Sequence, residues 1–299
     1  MTVIDKRRYL QPEIVARLNT MSLRARLVVE GFMVGHHRSP YHGFSVEFSE
    51  HRAYGPGDEI RHIDWKLYGK TDRYYVKRFE EETNLRAYIL LDMSRSMAFR
   101  SGSVSKLDYG SYLTAALTYL MLNQQDAVGL ALFDTTLRDF VPSRGTRSHL
   151  NVVLSHLDRC VPGGDTRLGS VLHQMAERFK KRGLIILISD LLDDPATIIH
   201  GLKHFRYNKQ EVIVFHVMDR QEVEFQFRTR TRFRDAESGQ VITTEPWQIR
   251  EAYQRHLGQF RETLRRECGL LNVDYVALHT DDRLDIALRE FLGKRQKLG

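Results

Sequence analysis

The chain has little of what staples small secreted domains or marks a membrane span. Only two of its 299 residues are cysteines, Cys160 and Cys268, too few for a disulfide framework. No apolar run approaches the roughly 18 residues needed to cross a bilayer. The opening Met1-Thr2-Val3-Ile4-Asp5-Lys6-Arg7-Arg8 lacks the apolar core of a signal peptide. These absences predict a cytoplasmic protein with reduced thiols and no membrane span. Zinc-finger and helix-turn-helix spacings are missing. So is a Walker-type phosphate loop, which argues against nucleotide hydrolysis by this chain alone. Low-complexity segments and internal repeats are absent as well. Charge of one sign is in modest excess. A net +7 over this length permits an acidic partner or nucleic acid without demanding either, and charge alone gives no reason to expect nucleic acid.

What is present is an apolar fraction of 42 %, enough for a sizeable core. Residues 1–84 read as an N-terminal helix followed by a β-rich lobe. The helix is expected near Pro12 to Glu30. A glycine-, histidine- and arginine-rich stretch follows from Gly31 to Gly69, with a turn at Gly55-Pro56-Gly57-Asp58 and short strands at Phe44–Phe48 and Tyr74–Phe79. From Leu85 to Gly299 strands and helices alternate. Strands are predicted at Ala87–Leu91, Val128–Phe133, Leu184–Ser189, Val212–Val217 and Val273–Leu278, with Leu137–Val141 as a hairpin partner of the second. Helices are predicted at Lys106–Leu122, Leu150–Leu157, Leu168–Lys181, Pro195–Phe205 and Ile249–Cys268, and a closing helix carries Leu284, Leu288, Phe291 and Leu292. Such alternation predicts an α/β fold, a doubly wound, mostly parallel sheet of Rossmann type covered on both faces.

Four predicted strands run into an aspartate: Asp92, Asp134, Asp190 and Asp219. Turn or cap duty accounts for Asp134 and Asp219. Asp92 differs because Ser94 and Ser96 follow it at i+2 and i+4. One carboxylate and two hydroxyls are hard oxygen donors that suit Mg²⁺, Mn²⁺ or Ca²⁺. In an open α/β sheet they would stand at the strand ends, where ligands bind. The segment Gly163-Gly164-Asp165-Thr166-Arg167-Leu168-Gly169 would bring a second loop there, and Asp190 a third. Thr166 also fits a helix cap, and either Asp165 or Thr166 could face the ion.

Asp92-Met93-Ser94-Arg95-Ser96, Thr166 and Asp190 resemble the metal-ion-dependent adhesion site of von Willebrand factor A-type domains. Further upstream come Gly35-His36-His37-Arg38-Ser39-Pro40-Tyr41-His42-Gly43-Phe44, Tyr54-Gly55-Pro56-Gly57-Asp58-Glu59-Ile60-Arg61-His62-Ile63-Asp64-Trp65-Lys66, Tyr75-Val76-Lys77 and Glu80-Glu81-Glu82. With these, nearly the whole chain resembles domain of unknown function family 58, whose members are often encoded beside MoxR-type AAA+ ATPases. The resemblance implies a von Willebrand factor A-like domain at 85–299 with one Mg²⁺-like ion. Asp92, Ser94, Ser96, Thr166 and Asp190 would hold it. It implies a binding module, not an enzyme, partnered by a MoxR-type AAA+ ATPase and by client proteins in assembly or maturation.

Three other constellations are weaker. His62 and Asp64 would fit acid–base chemistry, but no nucleophile accompanies them, and an ion-paired interface anchored by Trp65 explains them. His36, His37 and His42 match no zinc spacing. From Val223 to Arg234 the residues alternate, with Phe225, Phe227 and Phe233 on one side and Arg228, Arg230, Arg232 and Arg234 on the other. This predicts a hairpin inserted at about 220–246, whose arginine face would suit an acidic partner or nucleic acid. A rival reading, a metal-dependent hydrolase, would need a general base near the ion, for which His216 and His279 are the candidates.

Overall fold

The computed structural model describes residues 12–16, 18, 20–36, 51–53, 68–69, 74–77, 85–165, 167–180, 182–234 and 239–296. Packing divides the chain into two units. The described parts of Met1–Ser39 group with those of Leu85–Gly299, and those of Pro40–Asn84 stand by themselves. In the smaller unit, β1 (His51–Ala53) pairs antiparallel with β2 (Tyr75–Lys77), and the Tyr68 and Tyr74 rings stack at 4.5 Å. The strand expected at Phe44–Phe48 lies outside the described residues, as do His37, His42, His62, Asp64 and Trp65.

The larger unit opens with α1 (Pro12–Ala16) and α2 (Met21–His36). The single helix predicted over Pro12 to Glu30 is two. The chain breaks at Thr20, whose Oγ1 accepts the Leu23 N–H at 3.3 Å and restarts the helix. Then follow β3 (Arg86–Asp92), α3 (Lys106–Asn123), β4 (Ala127–Phe133), β5 (Leu137–Arg144), α4 (His149–Leu157), α5 (Leu168–Arg178), β6 (Leu184–Ser189), α6 (Pro195–Tyr207) and β7 (Glu211–Met218). The chain ends with α7 (Arg220–Glu224), β8 (Thr231–Arg234), β9 (Val241–Thr244), α8 (Pro246–Leu270), β10 (Asp274–His279) and α9 (Asp285–Gln296).

Six strands make one sheet in the order β10-β7-β6-β3-β4-β5. All neighbours are parallel except β5, which returns antiparallel beside β4. This is the doubly wound, mainly parallel α/β architecture that the alternation predicts. Every residue of β6 is buried, as a strand covered on both faces must be. One face of the sheet carries Leu90, Ile185, Leu187 and Val214 into a core with Leu172, Met175, Leu202 and Leu264 of α5, α6 and α8. On the other face α3 approaches so closely that a Cβ on Gly110 would meet Leu91 at 2.8 Å. Nearly all of α3 is buried because α1 and α2 cover its outer side. That is the fate expected of a helix apolar all round. Thr114 and Thr118, buried within it, give their hydroxyl protons to the Gly110 and Thr114 carbonyls at 2.8 Å.

From β3 the chain moves to β4 on one side and later to β6 on the other. The order therefore reverses between the C-terminal ends of β3 and β6, and a crevice for ligands is expected there. At the far edge, β5 contains Pro142 and two register shifts against β4. Among the described residues no helix is long and apolar enough to cross a membrane.

The inserted segment departs from simple alternation. Asp219 caps α7 through the Gln221 N–H, and Glu222 closes the capping box. The turn stops at Phe225, which takes a left-handed φ of 50°. Only from Thr231 does a strand begin, paired with β9 in the register Phe233↔Ile242. Local capping at Asp219 outweighs the period-two pattern over Val223–Thr229. The phenylalanines nevertheless gather. Phe225 stacks on Phe233 at 5.3 Å and on Tyr253 of α8 at 4.3 Å. Arg250 of α8 donates to the Phe225 carbonyl at 2.9 Å.

The N-terminus of α3 is held by a capping box in which Ser105 Oγ accepts the Asp108 N–H at 3.0 Å. Ser105→Ala should lower unfolding stability by about 1 kcal/mol, read by urea denaturation with an unchanged slope.

Candidate metal centre

The sheet's reversal point positions this centre. Because β3 and β6 are parallel with Leu91 opposite Ile188, Asp92 leaves the sheet beside Ser189. Asp92 is fully buried. Its Oδ1 accepts the Ser94 N–H at 2.9 Å, an Asx turn that fixes the loop. Its Oδ2 accepts the Ser189 hydroxyl at 2.6 Å. A short 3-10 turn over Arg95–Ala98 follows and places Ser96 Oγ 3.0 Å from Ser94 Oγ, both buried. Three of the expected donors, Asp92, Ser94 and Ser96, are thus brought together.

The second loop reaches the first through its backbone. Gly163 N–H donates to the Met93 carbonyl at 2.9 Å, and Arg95 N–H to the Gly164 carbonyl at 3.1 Å. Gly164 has φ +75°, and a Cβ there would stand 2.3 Å from Asp134 Oδ2. Only glycine meets both conditions. Thr166 lies outside the described residues. Asp165 is exposed, with its carboxylate 3.7 Å from Arg95.

Asp190, the first residue after β6, is 1 % exposed. Its Oδ2 receives Lys106 Nζ at 2.8 Å, and the same ammonium reaches Glu222 Oε1 at 2.9 Å. Burial pulls the Lys106 pKa down, but Asp190 and Glu222 more than offset it and hold the pKa above its ordinary value. Asp190 Oδ1 is buried without a hydrogen-bond partner among the described residues, a costly state for a carboxylate oxygen. Burial, and then the nearby Asp190, push the Asp92 carboxyl up to about 7 against the hydrogen bonds from Ser189 and Ser94. Two buried carboxylates, one with an orphaned oxygen, and a pair of hydroxyls form a hard-oxygen set suited to a small divalent cation. Among the described residues no group of three or more His, Cys, Asp or Glu is arranged to hold a metal.

Lys106, Glu222 and Ser189 are the residues that sequence reasoning misses. Ser189 adjoins Asp190 at the end of an apolar strand, and that adjacency was its one signal. The other two strand-end aspartates serve as turn and cap. Asp134 receives Thr136 N–H at 3.1 Å and Arg138 Nε. Asp219 caps α7 and accepts both the N–H and the hydroxyl of Ser101, at 2.8 and 2.6 Å. His216 is buried, its imidazole held down at about 3 by that burial, and it shares a hydrogen bond with the Tyr275 hydroxyl. His279 is engaged with Asp282 at 2.9 Å. Arg228, Arg230, Arg232 and Arg234 are all exposed. The first two stand on the loop before β8 and the last two on the strand.

A doubly wound α/β domain with buried carboxylates and hydroxyls at its strand-order reversal defines the class of protein. The chain belongs to the family described as protein of unknown function DUF58, whose model matches residues 50–263. It is similar to uncharacterized proteins of Mycobacterium tuberculosis and Mycobacterium bovis, 25 % identical over 291 residues that cover 96 % of this chain and 91 % of each relative. Among solved structures it is similar to an aerotolerance-related membrane protein from Bacteroides fragilis (19 % identity, TM-score 0.48, 71 % of this chain and 99 % of that one). Another is the conserved hypothetical protein BatB from Bacteroides thetaiotaomicron (17 %, 0.47, 71 % and 99 %). A third is the VWA domain of SpRpn10 (11 %, 0.38, 67 % and 91 %).

Removing the ammonium leaves the buried Asp190 and the partly buried Glu222 without a counter-charge. Lys106→Met should therefore cost about 3–5 kcal/mol of unfolding free energy, measured by denaturant titration. A cost below about 1 kcal/mol would mean that the pair behaves as an exposed one.

Proposed function

We propose that this protein is a von Willebrand factor A-like interaction module that docks other proteins through a divalent cation, Mg²⁺ first, with Mn²⁺ or Ca²⁺ as substitutes. The observation that carries this reading is the buried, unpartnered Asp190 Oδ1 beside Asp92 and the paired hydroxyls of Ser94 and Ser96. Asp92, Ser94, Ser96 and Asp190 would hold the cation, with Thr166 from the second loop. A bound cation supplies a Lewis-acidic docking point for a carboxylate oxygen of the partner. The protein's own groups prepare that point. Ser189 and the Ser94 N–H orient Asp92, and Lys106 fixes Asp190 by one oxygen and leaves the other free. With Lys106 already balancing one carboxylate, few anionic ligands face the ion, which favours an incoming acid.

The same reading makes the module a cytoplasmic partner of a MoxR-type AAA+ ATPase in the assembly or maturation of client proteins, with no chemistry of its own. Both histidines that would serve a hydrolase are committed to Tyr275 and Asp282.

Calorimetric titration with Mg²⁺ should give one site per chain. Asp92→Asn and Asp190→Asn should each weaken it at least about tenfold, the loss of one charged ligand being worth about 1.4 kcal/mol or more, in proteins that still unfold cooperatively. Equal affinity in the folded variants refutes the site. Mixed with a MoxR-type ATPase, the chain should co-elute in Mg²⁺ and separate in excess chelator, and Asp92→Asn should separate in both.

A further inference from the structure

The surface beside the metal centre exposes more large apolar side chains than a free surface calls for. Phe99, Leu192, Ile242 and Ile249 are 36 %, 51 %, 65 % and 39 % exposed, and all four line one groove of about 600 Å³. Phe225, Phe233 and Tyr253, stacked on one another, make its floor. Contiguous apolar surface of this kind marks a binding site. The groove is continuous with the candidate centre. Ser96 and Glu222 stand in its wall, and Leu192 follows Asp190 by two residues. Of its lining residues Arg234 and Glu222 carry charge, the latter paired with Lys106, and Arg228, Arg230 and Arg232 are exposed on the segment leading to it.

We propose that this groove is the specificity pocket of the docking face and takes a large aliphatic or aromatic side chain from an acidic partner polypeptide. That side chain neighbours the carboxylate that reaches the cation, so the inference rests on the metal-dependent docking proposed above. Charge complementarity selects the occupant. Arg234 on the groove, the exposed Arg228, Arg230 and Arg232 beside it and the net +7 of the chain attract acidic segments and repel a second copy. Nucleic acid fits the groove less well. The rings of the floor are spent on each other, with Phe225 only 7 % exposed, and the exposed Phe99 does not by itself make a run of platforms for successive bases. Three of the four exposed wall residues, Leu192, Ile242 and Ile249, are aliphatic.

The test pans short random peptides displayed on phage against the full chain in Mg²⁺. Acidic peptides with at least one Leu, Ile, Phe or Trp should be enriched. The leading peptide, labelled with fluorescein and followed by anisotropy, should bind about tenfold more weakly to Ile242→Asp and to Leu192→Asp. Both positions are exposed, and both variants should unfold as the parent does. Replacing the peptide's own large apolar residue by Ala should cost the same factor, with no further loss when both partners are changed. Peptide binding that needs Mg²⁺ and Asp92 but ignores both groove variants overturns this inference and leaves the metal reading standing. Binding that falls with the groove variants but is indifferent to chelator supports the groove and overturns the metal reading. Enrichment of peptides without a large apolar residue overturns the groove. So does displacement of the peptide by a single-stranded oligonucleotide, or a gel-filtration dimer that Ile242→Asp dissolves.

Discussion

One buried ammonium organises the functional end of this molecule. Lys106 Nζ lies between Asp190 and Glu222, so the start of α3, the end of β6 and the turn of α7 are tied at one point. The circuit continues outward. Glu222 returns to the Asp219 N–H at 3.1 Å, and Asp219 grips Ser101 in the loop before α3. Each link satisfies a group whose burial would otherwise be expensive. Such an ion pair adds little net stability compared with an apolar substitute, but it penalises every arrangement in which one member is missing. Its value here is to fix where Asp190 points and which of its oxygens stays open.

The sheet was legible in the sequence because its strands are short apolar runs between turn residues, a pattern that burial on both faces imposes. Asp92, Ser94 and Ser96 were legible too, since the Asx turn and the 3-10 turn that gather them are local. Asp190 was legible as a strand end. Lys106 and Glu222 were not. Lys106 pairs with Asp190 and with Glu222 across 84 and 116 positions, and nothing local distinguishes it from any lysine in the first turn of a helix. The break in the first helix turned on a single hydroxyl at Thr20, and the delayed start of β8 on the cap at Asp219. In both places one side-chain oxygen redirected the backbone against the longer pattern.

The inserted hairpin shows how a correct grouping can arise by another route. Phe225, Phe227 and Phe233 do share one side and the arginines face solvent, yet no single strand carries them. The rings meet because α7 stops at a left-handed Phe225 and α8 offers Tyr253 and Arg250 as a bed. Under the proposed docking, affinity and selectivity would fall to different parts, the buried oxygens setting a position for charge and the aromatic bed setting what surrounds it.

The antiparallel margin of the sheet carries a consequence of its own. Strand β5 closes that side with Pro142 and two shifts of register, so its outer hydrogen-bonding row is broken, and a foreign strand finds no regular template there. Growth of the sheet by copying is denied on this flank. The docking proposed at the loops would rest on side chains instead, tuned residue by residue without reopening the route to fibrils.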